Sequence, residues 1–194
     1  MKTKAAVVFE RSGKFSIEQL EINEPNDDEA LVRIVATGIC HTDLAGREQY
    51  LPIPPTRAFP AVFGHEGAGV VEKVGARVTK VKPGDHVALS WNSCGACPSC
   101  KSGNEPYCDN LFLYNFNGAR PDGTTTLRKG NQVIYGSFFC QSSFANYALA
   151  LPFTHSLFGT MLAIFEGEPF THELQLSITM PHQLMTWRRI GCTA

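Results

Sequence analysis

The sequence has no surplus of charge of either sign. Its 194 residues include 17 Lys+Arg and 18 Asp+Glu, which gives a formal net charge of −1. Nucleic acids and anionic membrane surfaces attract proteins through clustered positive charge. Because this surplus is missing, we expect no nucleic-acid partner and no membrane partner.

Long apolar runs and a secretory leader are also missing. The N-terminus reads MKTKAAVVFERSG, so its apolar run ends at Glu10 and Arg11. That run is too short for the apolar region of a signal peptide, and no later run reaches the length of a membrane span. We therefore expect a cytoplasmic protein. In a reducing compartment, clustered cysteines are better explained as metal ligands than as disulfides.

Two enzyme motifs are incomplete in GHEGAGVVE, residues 64–72. His65 and the glutamate after it begin a metalloprotease motif, but Gly69 stands where the second histidine belongs. The GAG that follows begins a dinucleotide-binding fingerprint, but Glu72 replaces its third glycine, and no G-x-G-x-x-G occurs elsewhere. The flanking VVEKVG suggests a strand pair rather than a strand entering a helix. This segment is therefore not predicted to bind nicotinamide.

The sequence does contain a dense group of thiols in SCGACPSCKSGNEPYC. The C-x2-C-x2-C-x7-C spacing comprises Cys94, Cys97, Cys100 and Cys108. Four thiolates around zinc form a closed tetrahedral site, which stabilises structure and does not catalyse. A bacterial ferredoxin run would require C-x3-C-P at its end, which is not present. The spacing predicts a structural zinc site, so the chemistry should lie elsewhere.

A second group of potential ligands lies upstream, in the motifs GICHTD and GHEGAGVVEKVG. Together they supply the thiol of Cys40, the imidazole of His65 and the carboxylates of Asp43 and Glu66. This donor set suits a zinc site that is open to substrate. Each residue also has a plainer interpretation: Cys40 as a buried thiol at a strand end, Thr42-Asp43 as a helix N-cap, and His65 as a core histidine.

These motifs, in this order and together with VKPGDHV and the four-cysteine spacing, resemble the zinc-dependent medium-chain alcohol dehydrogenases. The aryl-alcohol (benzyl-alcohol) branch is the most similar. The resemblance covers about residues 4–150, which correspond to the N-terminal catalytic domain of that family, an irregular β-barrel of the GroES-like type. Short β-rich runs between Gly, Pro and Asn/Asp turns also predict a mainly β fold. They are KAAVVFE, FSIEQLEI, EALVRIVATGI, AGVVEKVG, TKVKPGDHVAL and QVIYGSFFCQSSFANYALA.

The resemblance implies a role for each residue that matches the family's motifs. Cys40 and His65 would ligate a catalytic zinc, and Asp43 would orient the histidine. Thr42 would relay the proton of the alcohol, and Glu66 would lie behind the metal as an electrostatic modulator or transient ligand. Zinc would act as a Lewis acid, and NAD would accept the hydride.

Two further assignments also come from the resemblance. His41 falls where the family often contacts the cofactor phosphate, and Trp91 falls where an aromatic wall of the substrate pocket is expected. A solvated loop side chain for His41 and a core aromatic for Trp91 are equally compatible with the sequence. Cys140 has no motif around it and is predicted to be a buried strand thiol.

The resemblance stops after ANYALA, where the composition also changes. Residues 151–194 contain no valine, lysine or aspartate. We therefore predict a GroES-like domain over 1–150 and an atypical tail over 151–194, either a shifted reading frame or a genuine alternative segment, and poorly packed or disordered. This tail is too short for the family's Rossmann domain, which would be absent. Cys192, in IGC, resembles the family's third catalytic ligand, but it lies farther from His65 than the family usually shows.

The predicted function is that of a fragment. It would be the catalytic domain of a zinc enzyme that interconverts primary, aromatic or allylic alcohols and aldehydes with NAD, inactive or nearly so by itself. The alternative is a non-enzymatic zinc-binding interaction module. A third hypothesis is a zinc hydrolase that uses Cys40 and His65, but no third ligand for it is recognisable in the barrel. The exact substrate, the choice between NAD and NADP, and the oligomeric state are left open by the sequence.

Overall fold

A computed structural model describes residues 1–50 and 59–151 of the chain. Most of their regular structure is β-strand, with three short α-helices and two single 3-10 turns. The elements are β1 (Lys2–Val8), β2 (Ser16–Ile22), β3 (Ala30–Thr37), α1 (His41–Glu48), β4 (Ala61–Val62), β5 (Gly67–Val74), β6 (His86–Ala88), α2 (Pro98–Lys101), a 3-10 turn (Glu105–Tyr107), α3 (Leu111–Asn115), β7 (Leu127–Lys129), β8 (Gln132–Ile134), a 3-10 turn (Phe138–Cys140) and β9 (Tyr147–Ala150). The predicted mainly β fold class is confirmed.

The strands form two antiparallel sheets. One has the order β4-β1-β2-β7-β8, and the other has the order β6-β5-β3-β9. The segment before β9 joins them, because the Ala6 N–H donates to the Phe144 carbonyl (2.8 Å) and the Asn146 N–H donates to the Lys4 carbonyl (2.8 Å). The chain therefore closes one sheet against the other.

Alternating side chains place the main core between the two sheets. In β1, Thr3, Ala5 and Val7 are buried while Lys2 and Lys4 are exposed, as the two-residue period of a strand requires. The largest apolar cluster combines residues of both sheets: Ala5, Val7, Leu20, Ile22, Leu31, Val62, Leu127, Ile134 and Leu149. A second cluster, which includes Val32, Val71, Val87 and Leu89, covers the other face of the four-stranded sheet.

A third cluster is aromatic and lies where the candidate site is built. Phe63, Phe138 and Phe139 are buried together with Val8, and Trp91 and Phe116 pack against them half-buried. The rings meet mostly edge to face, for example Phe63 and Phe138 with centroids 5.1 Å apart and planes at 74°. This arrangement is the favourable one for aromatic pairs.

Three details of the predicted strands are wrong. VVEKVG is not a strand pair, because it belongs to one continuous strand, β5. In TKVKPGDHVAL only His86–Ala88 is a strand, since the PGD turn before it, with Gly84 at φ +94°, cannot extend the ladder.

The run QVIYGSFFCQSSFANYALA is likewise split between β8 and β9. Phe139, Cys140 and Ser142 have φ angles of 50°, 55° and 50°, which no strand accommodates. Cys140 is buried as predicted, but it lies in a 3-10 turn instead of a strand.

The predictions for the tail, including the role of Cys192, fall on residues 152–194 and lie outside the described residues. In the two described ranges, no helix has the length and apolar character needed to cross a membrane.

Two candidate metal centres

The first candidate centre forms where β3 ends beside the start of β5. Their antiparallel ladder finishes at the pair Thr37↔Gly67. The Gly38 N–H donates to the Glu66 carbonyl (3.0 Å), which extends the pairing by one more step. Because the strands are antiparallel, the residues that follow β3 and those that precede β5 meet at the same end of the sheet. This register brings the GICHTD motif next to the GHE motif.

Cys40 caps the helix that begins immediately after it. It is the N-cap of α1, with extended backbone angles, and its Sγ accepts a hydrogen bond from the Thr42 N–H at 3.5 Å. Asp43 completes a capping box, because its Oδ2 accepts from the Cys40 N–H at 3.0 Å. Thr42-Asp43 is therefore not the N-cap itself. Cys40 is only partly buried, so its thiol is not sealed in the core.

Asp43 connects the helix start to the histidine. Its side chain is fully buried, and its Oδ1 accepts from the Gly64 N–H (2.9 Å) and contacts His65 Nδ1 (3.1 Å). A carboxylate on one ring nitrogen fixes the tautomer and directs the other nitrogen away from it. The geometry therefore places Asp43 where it can orient His65 with Nε2 left for a ligand.

Cys40, His65 and Glu66 bring potential metal ligands together. One donor atom from each lies within 4.8 Å of the others. Gly38 makes room for this cluster, because a Cβ there would lie 2.0 Å from Glu66 Oε2. A thiolate, an imidazole and a carboxylate are all ordinary zinc ligands, and three protein ligands are typical of a catalytic site with an open position. The donor set therefore fits a zinc ion.

The environment shifts the protonation of these groups. Burial opposes ionisation of Cys40, but hydrogen bonds from Thr42 and the neighbouring His65 outweigh it and lower the pKa of the thiol. Burial also disfavours a charged His65, yet Asp43 and Cys40 raise its pKa overall. The pKa of Glu66 is raised, mainly by burial and further by Asp43, with His65 acting in the opposite direction. Carboxylate, imidazole and thiol are thus electrostatically interdependent.

Aromatic rings surround the histidine. Phe139 stacks on the His65 ring, with centroids 4.5 Å apart and planes at 25°, and Phe138 meets it edge-on at 5.7 Å. Trp91 packs half-buried against the cluster that contains these two phenylalanines. The sequence analysis missed Phe138 and Phe139. Their only signal was an apolar run that looked like part of a strand.

Thr42 and His41 differ in how they relate to this centre. Thr42 Oγ1 lies 3.5 Å from Cys40 Sγ, beside the candidate ligands. The exposed His41 has its Nε2 2.7 Å from the hydroxyl of Tyr50. The structure therefore places Thr42 within the centre and His41 on the outer face of the same helix turn.

The four-cysteine cluster forms the second candidate centre. One Sγ atom from each of Cys94, Cys97, Cys100 and Cys108 lies within 4.8 Å of the others, and none of them is in a disulfide. The sulfurs of Cys94 and Cys100 are 3.9 Å apart. Tetrahedral zinc, with bonds of about 2.3 Å, places its sulfur ligands about 3.8 Å from one another. The cluster therefore fits a closed zinc site.

Backbone N–H groups point at the sulfurs of this cluster. Cys94 Sγ accepts from the N–H groups of Ala96 (3.5 Å) and Cys97 (3.3 Å), and Cys108 Sγ accepts from the Cys94 N–H at 3.3 Å. Burial opposes ionisation of Cys94, but these bonds and the Asn110 side chain lower its pKa to about 6. Burial is the main cause that raises the pKa of Cys108 to about 12. Four thiols so close together cannot all ionise without a cation among them.

The sharp turns of this loop come from its glycines and proline. Gly95 and Gly103 have φ angles of 66° and 79°, and Pro98 is the first residue of α2. Asn115, at the end of α3, anchors the loop through two 2.7 Å bonds with the backbone N–H and carbonyl of Asn92. The ligands are therefore held by local turns and by one buried amide.

Replacing Gly38 with alanine is expected to weaken the first centre without unfolding the domain. The new Cβ would collide with the Glu66 carboxylate and displace it from Cys40 and His65. We expect Co²⁺ affinity at this centre to fall roughly tenfold. The measurement is a Co²⁺ titration with the four-cysteine site already filled with zinc.

Gly123→Ala is the matched control for this experiment. Its φ of +84° makes alanine unfavourable by about 1 kcal/mol, but no atom lies within 4 Å of the added carbon. It should reduce stability slightly and leave Co²⁺ affinity unchanged. Equal affinities in the Gly38→Ala variant and the wild type would show that the Glu66 position does not matter for metal binding.

The chain matches the family model described as the alcohol dehydrogenase GroES-like domain over residues 26–167. It is 42% identical over 151 residues to a geraniol dehydrogenase of Castellaniella defragrans, covering 77% of this chain and 39% of that protein. The match extends over most of the chain, and it includes both candidate metal centres.

Two solved structures are also similar. An alcohol dehydrogenase zinc-binding domain protein from Burkholderia ambifaria has a TM-score of 0.71 and 50% identity, covering 78% of this chain and 40% of that one. The benzyl alcohol dehydrogenase of Acinetobacter calcoaceticus has a TM-score of 0.69 and 44% identity, covering 78% and 39%. The GroES-like fold expected from the resemblance is thereby confirmed.

The fold and the matched family model define a chain with an alcohol dehydrogenase GroES-like domain. It belongs to the alcohol dehydrogenase family, as a member with the GroES-like domain. The chain spans about two fifths of the length of the relatives that it matches.

Proposed function

We propose that this chain provides the metal-binding part of a zinc-dependent oxidoreductase that interconverts primary alcohols and aldehydes with NAD. The observation that carries this proposal is the first centre. Cys40, His65 and Glu66 present donor atoms within 4.8 Å of one another. Asp43 Oδ1 lies 3.1 Å from Nδ1 of the histidine. Three protein donors leave the fourth position of a tetrahedral zinc open, whereas a closed structural site has four protein ligands. A buried carboxylate on the histidine is a common partner of such a ligand.

In this proposal Cys40 and His65 hold the catalytic zinc, and Glu66 completes or modulates the ligand set. When bound, the zinc supplies Lewis-acid polarisation of the substrate oxygen. Asp43 holds the histidine with Nε2 directed to the ion. Thr42, whose Oγ1 lies 3.5 Å from the candidate thiolate ligand, takes the proton of the alcohol and passes it outward. The hydroxyl is suited to this role because it can accept and donate at once.

The other assignments of the proposal concern the scaffold and the cofactor. Residues 1–150 would be the GroES-like domain, and Cys94, Cys97, Cys100 and Cys108 would hold a structural zinc. His41 would contact the cofactor phosphate, for which its exposure on the helix turn after Cys40 is favourable. The 194 residues contain no dinucleotide-binding fingerprint, so we propose that this chain by itself has little or no activity.

The proposed substrate class is an aromatic or allylic primary alcohol. Phe138 and Phe139 pack against His65, and Trp91 packs against the cluster that contains them, so the surroundings of the first centre are apolar and aromatic. Such walls favour substrates with a flat unsaturated body. Two of the similar proteins are described as dehydrogenases of geraniol and of benzyl alcohol, which supports the same class.

Metal content is the first test of this function. We expect two zinc equivalents per chain, falling to one in Cys40→Ser and staying at two in Cys140→Ser, which changes a buried thiol outside both centres. The wild-type chain should produce no NADH from benzyl alcohol and NAD. A single zinc in the wild type would favour the alternative, a non-enzymatic zinc-binding interaction module. NADH production would contradict the proposed inactivity.

A further inference from the structure

Gln141 uses its whole amide group to join two backbone segments, residues 65–67 and Ser90. Its Nε2 donates to the carbonyls of His65 (2.9 Å) and Ser90 (3.1 Å), and its Oε1 accepts from the Gly67 N–H at 3.1 Å. The side chain is 1% exposed. Two of these bonds involve His65 and Gly67, the residues directly before and after Glu66. The bonds therefore set the backbone of the two candidate ligands, His65 and Glu66.

The bond from Gln141 to the Ser90 carbonyl ties this amide to a second, well-anchored segment. Ser90 lies at the end of the segment that follows β6 and leads directly into the four-cysteine loop. The next residues are firmly held, because Asn92 exchanges two bonds with Asn115 and its Nδ2 lies 3.0 Å from Cys140 Sγ. Gln141 therefore holds the candidate ligands against a part of the fold that is itself anchored.

The backbone around Gln141 is strained, and the strain is offset by hydrogen bonds. Phe139, Cys140 and Ser142 have left-handed φ angles, each of which is unfavourable for a residue with a side chain. Ser142 Oγ accepts from the Phe138 N–H (2.9 Å) and donates to the Val62 carbonyl (2.7 Å), which closes the loop. This loop places two groups at the first centre. The Phe139 ring stacks on the His65 ring, and the Gln141 amide bonds to the His65 carbonyl.

We propose that Gln141 is a positioning residue, which keeps His65 and Glu66 in the geometry required to bind the ion with Cys40. This inference rests on the proposed function, because it assumes that the first centre holds a metal. Gln141 touches neither substrate nor metal in this role. It acts through the backbone of the ligands, as buried hydrogen-bond partners of metal ligands commonly do.

The test uses the full 194-residue chain with the four-cysteine site filled by one equivalent of zinc. Co²⁺ is then titrated into the first centre, and its d–d absorption reports the number and geometry of the ligands. Gln141→Met keeps the length of the side chain and removes all three hydrogen bonds. Gln141→Asn keeps an amide but shortens it by one methylene, and it carries the test if the methionine variant does not fold.

Thr126→Val is the control for loss of a buried hydrogen bond. The Thr126 hydroxyl is buried and donates to the Gly136 carbonyl at 2.7 Å, and Thr126 belongs to neither candidate centre. Urea unfolding of all variants measures stability separately. A purely structural role for Gln141 would lower stability and leave the Co²⁺ spectrum of the first centre as it is in the control.

We expect Gln141→Met to weaken Co²⁺ binding at the first centre roughly 10- to 100-fold and to reduce the intensity of the d–d bands, with Gln141→Asn in between. Thr126→Val should bind Co²⁺ as the wild type does. Wild-type affinity and spectrum in both Gln141 variants would overturn the positioning role and leave the proposed function intact. A wild-type chain that binds no Co²⁺ beyond the zinc-filled site would overturn both.

Discussion

Replacing Cys100 with serine is expected to remove one zinc and most of the stability of the domain. Cys100 is a buried member of the four-cysteine cluster, and three thiolates with one hydroxyl bind zinc far more weakly than four thiolates. Structural zinc in small peptides contributes about 10–16 kcal/mol, which rivals the total stability of about 5–15 kcal/mol of a typical domain. We therefore expect the free energy of unfolding to fall by more than about 4 kcal/mol.

Cys140→Ser is a closely matched control. Cys100 and Cys140 are both 8% exposed, but Cys140 lies outside the two metal clusters of the described residues, and its Sγ accepts a bond from Asn92. A serine there retains an acceptor, so the loss should be about 1 kcal/mol. Zinc content by atomic emission and urea unfolding in reducing buffer measure both variants. If Cys100→Ser retains its zinc and unfolds at the wild-type urea concentration, the cluster does not stabilise the fold.

Asp43→Asn is expected to produce the second largest effect, on stability and metal binding together. The carboxylate accepts from the N–H groups of Cys40 and Gly64 and contacts His65 Nδ1, with no exposure to solvent. An asparagine of the same shape must turn its NH₂ group towards at least one of these donors. Leaving a buried donor unsatisfied costs about 1–3 kcal/mol, and the lost charge-assisted bonds add to this.

We expect Asp43→Asn to lower the free energy of unfolding by about 3 kcal/mol and Co²⁺ affinity at the first centre roughly 10- to 100-fold. Asp27→Asn is the control, because Asp27 is exposed and its Oδ2 forms a surface ion pair with the exposed Arg77, at 3.1 Å. Surface pairs of this kind contribute about 0–1 kcal/mol, and metal binding should not change. Similar unfolding curves for the two variants would exclude a special role of Asp43.

The four-cysteine centre could be predicted from the sequence because all of it is local. The ligands occur within a short stretch, and Gly95, Pro98 and Gly103 bend the chain where the ligand spacing requires it. The helix start at Cys40 is also local, since its capping box involves residues three apart. Resemblance to the family then assigned the more distant partners, His65 and Glu66, and the orienting role of Asp43, but not the bonds from Gln141.

The loop that supports the first centre could not be predicted. QVIYGSFFCQSSFANYALA has the composition of a strand, yet Phe139, Cys140 and Ser142 adopt left-handed angles. These angles are stabilised by bonds to Val62, Gly64 and Phe63, far away in the chain. Local propensity carries no information on such bonds, so the pattern predicted strand where the tertiary structure imposes a turn.

The sequence by itself therefore determined what depends on spacing along the chain: the four-thiolate loop, a helix start near Thr42-Asp43 and the mainly β character. The structure moved the N-cap of that helix to Cys40. Only the tertiary structure decided what depends on register and packing. The pairing of Thr37 with Gly67 brings Cys40 to His65, and Gln141 reaches the His65 carbonyl from 76 residues away. The physical reason is that a short segment can select its own turns, whereas contacts between distant segments depend on how the sheets and the buried core assemble.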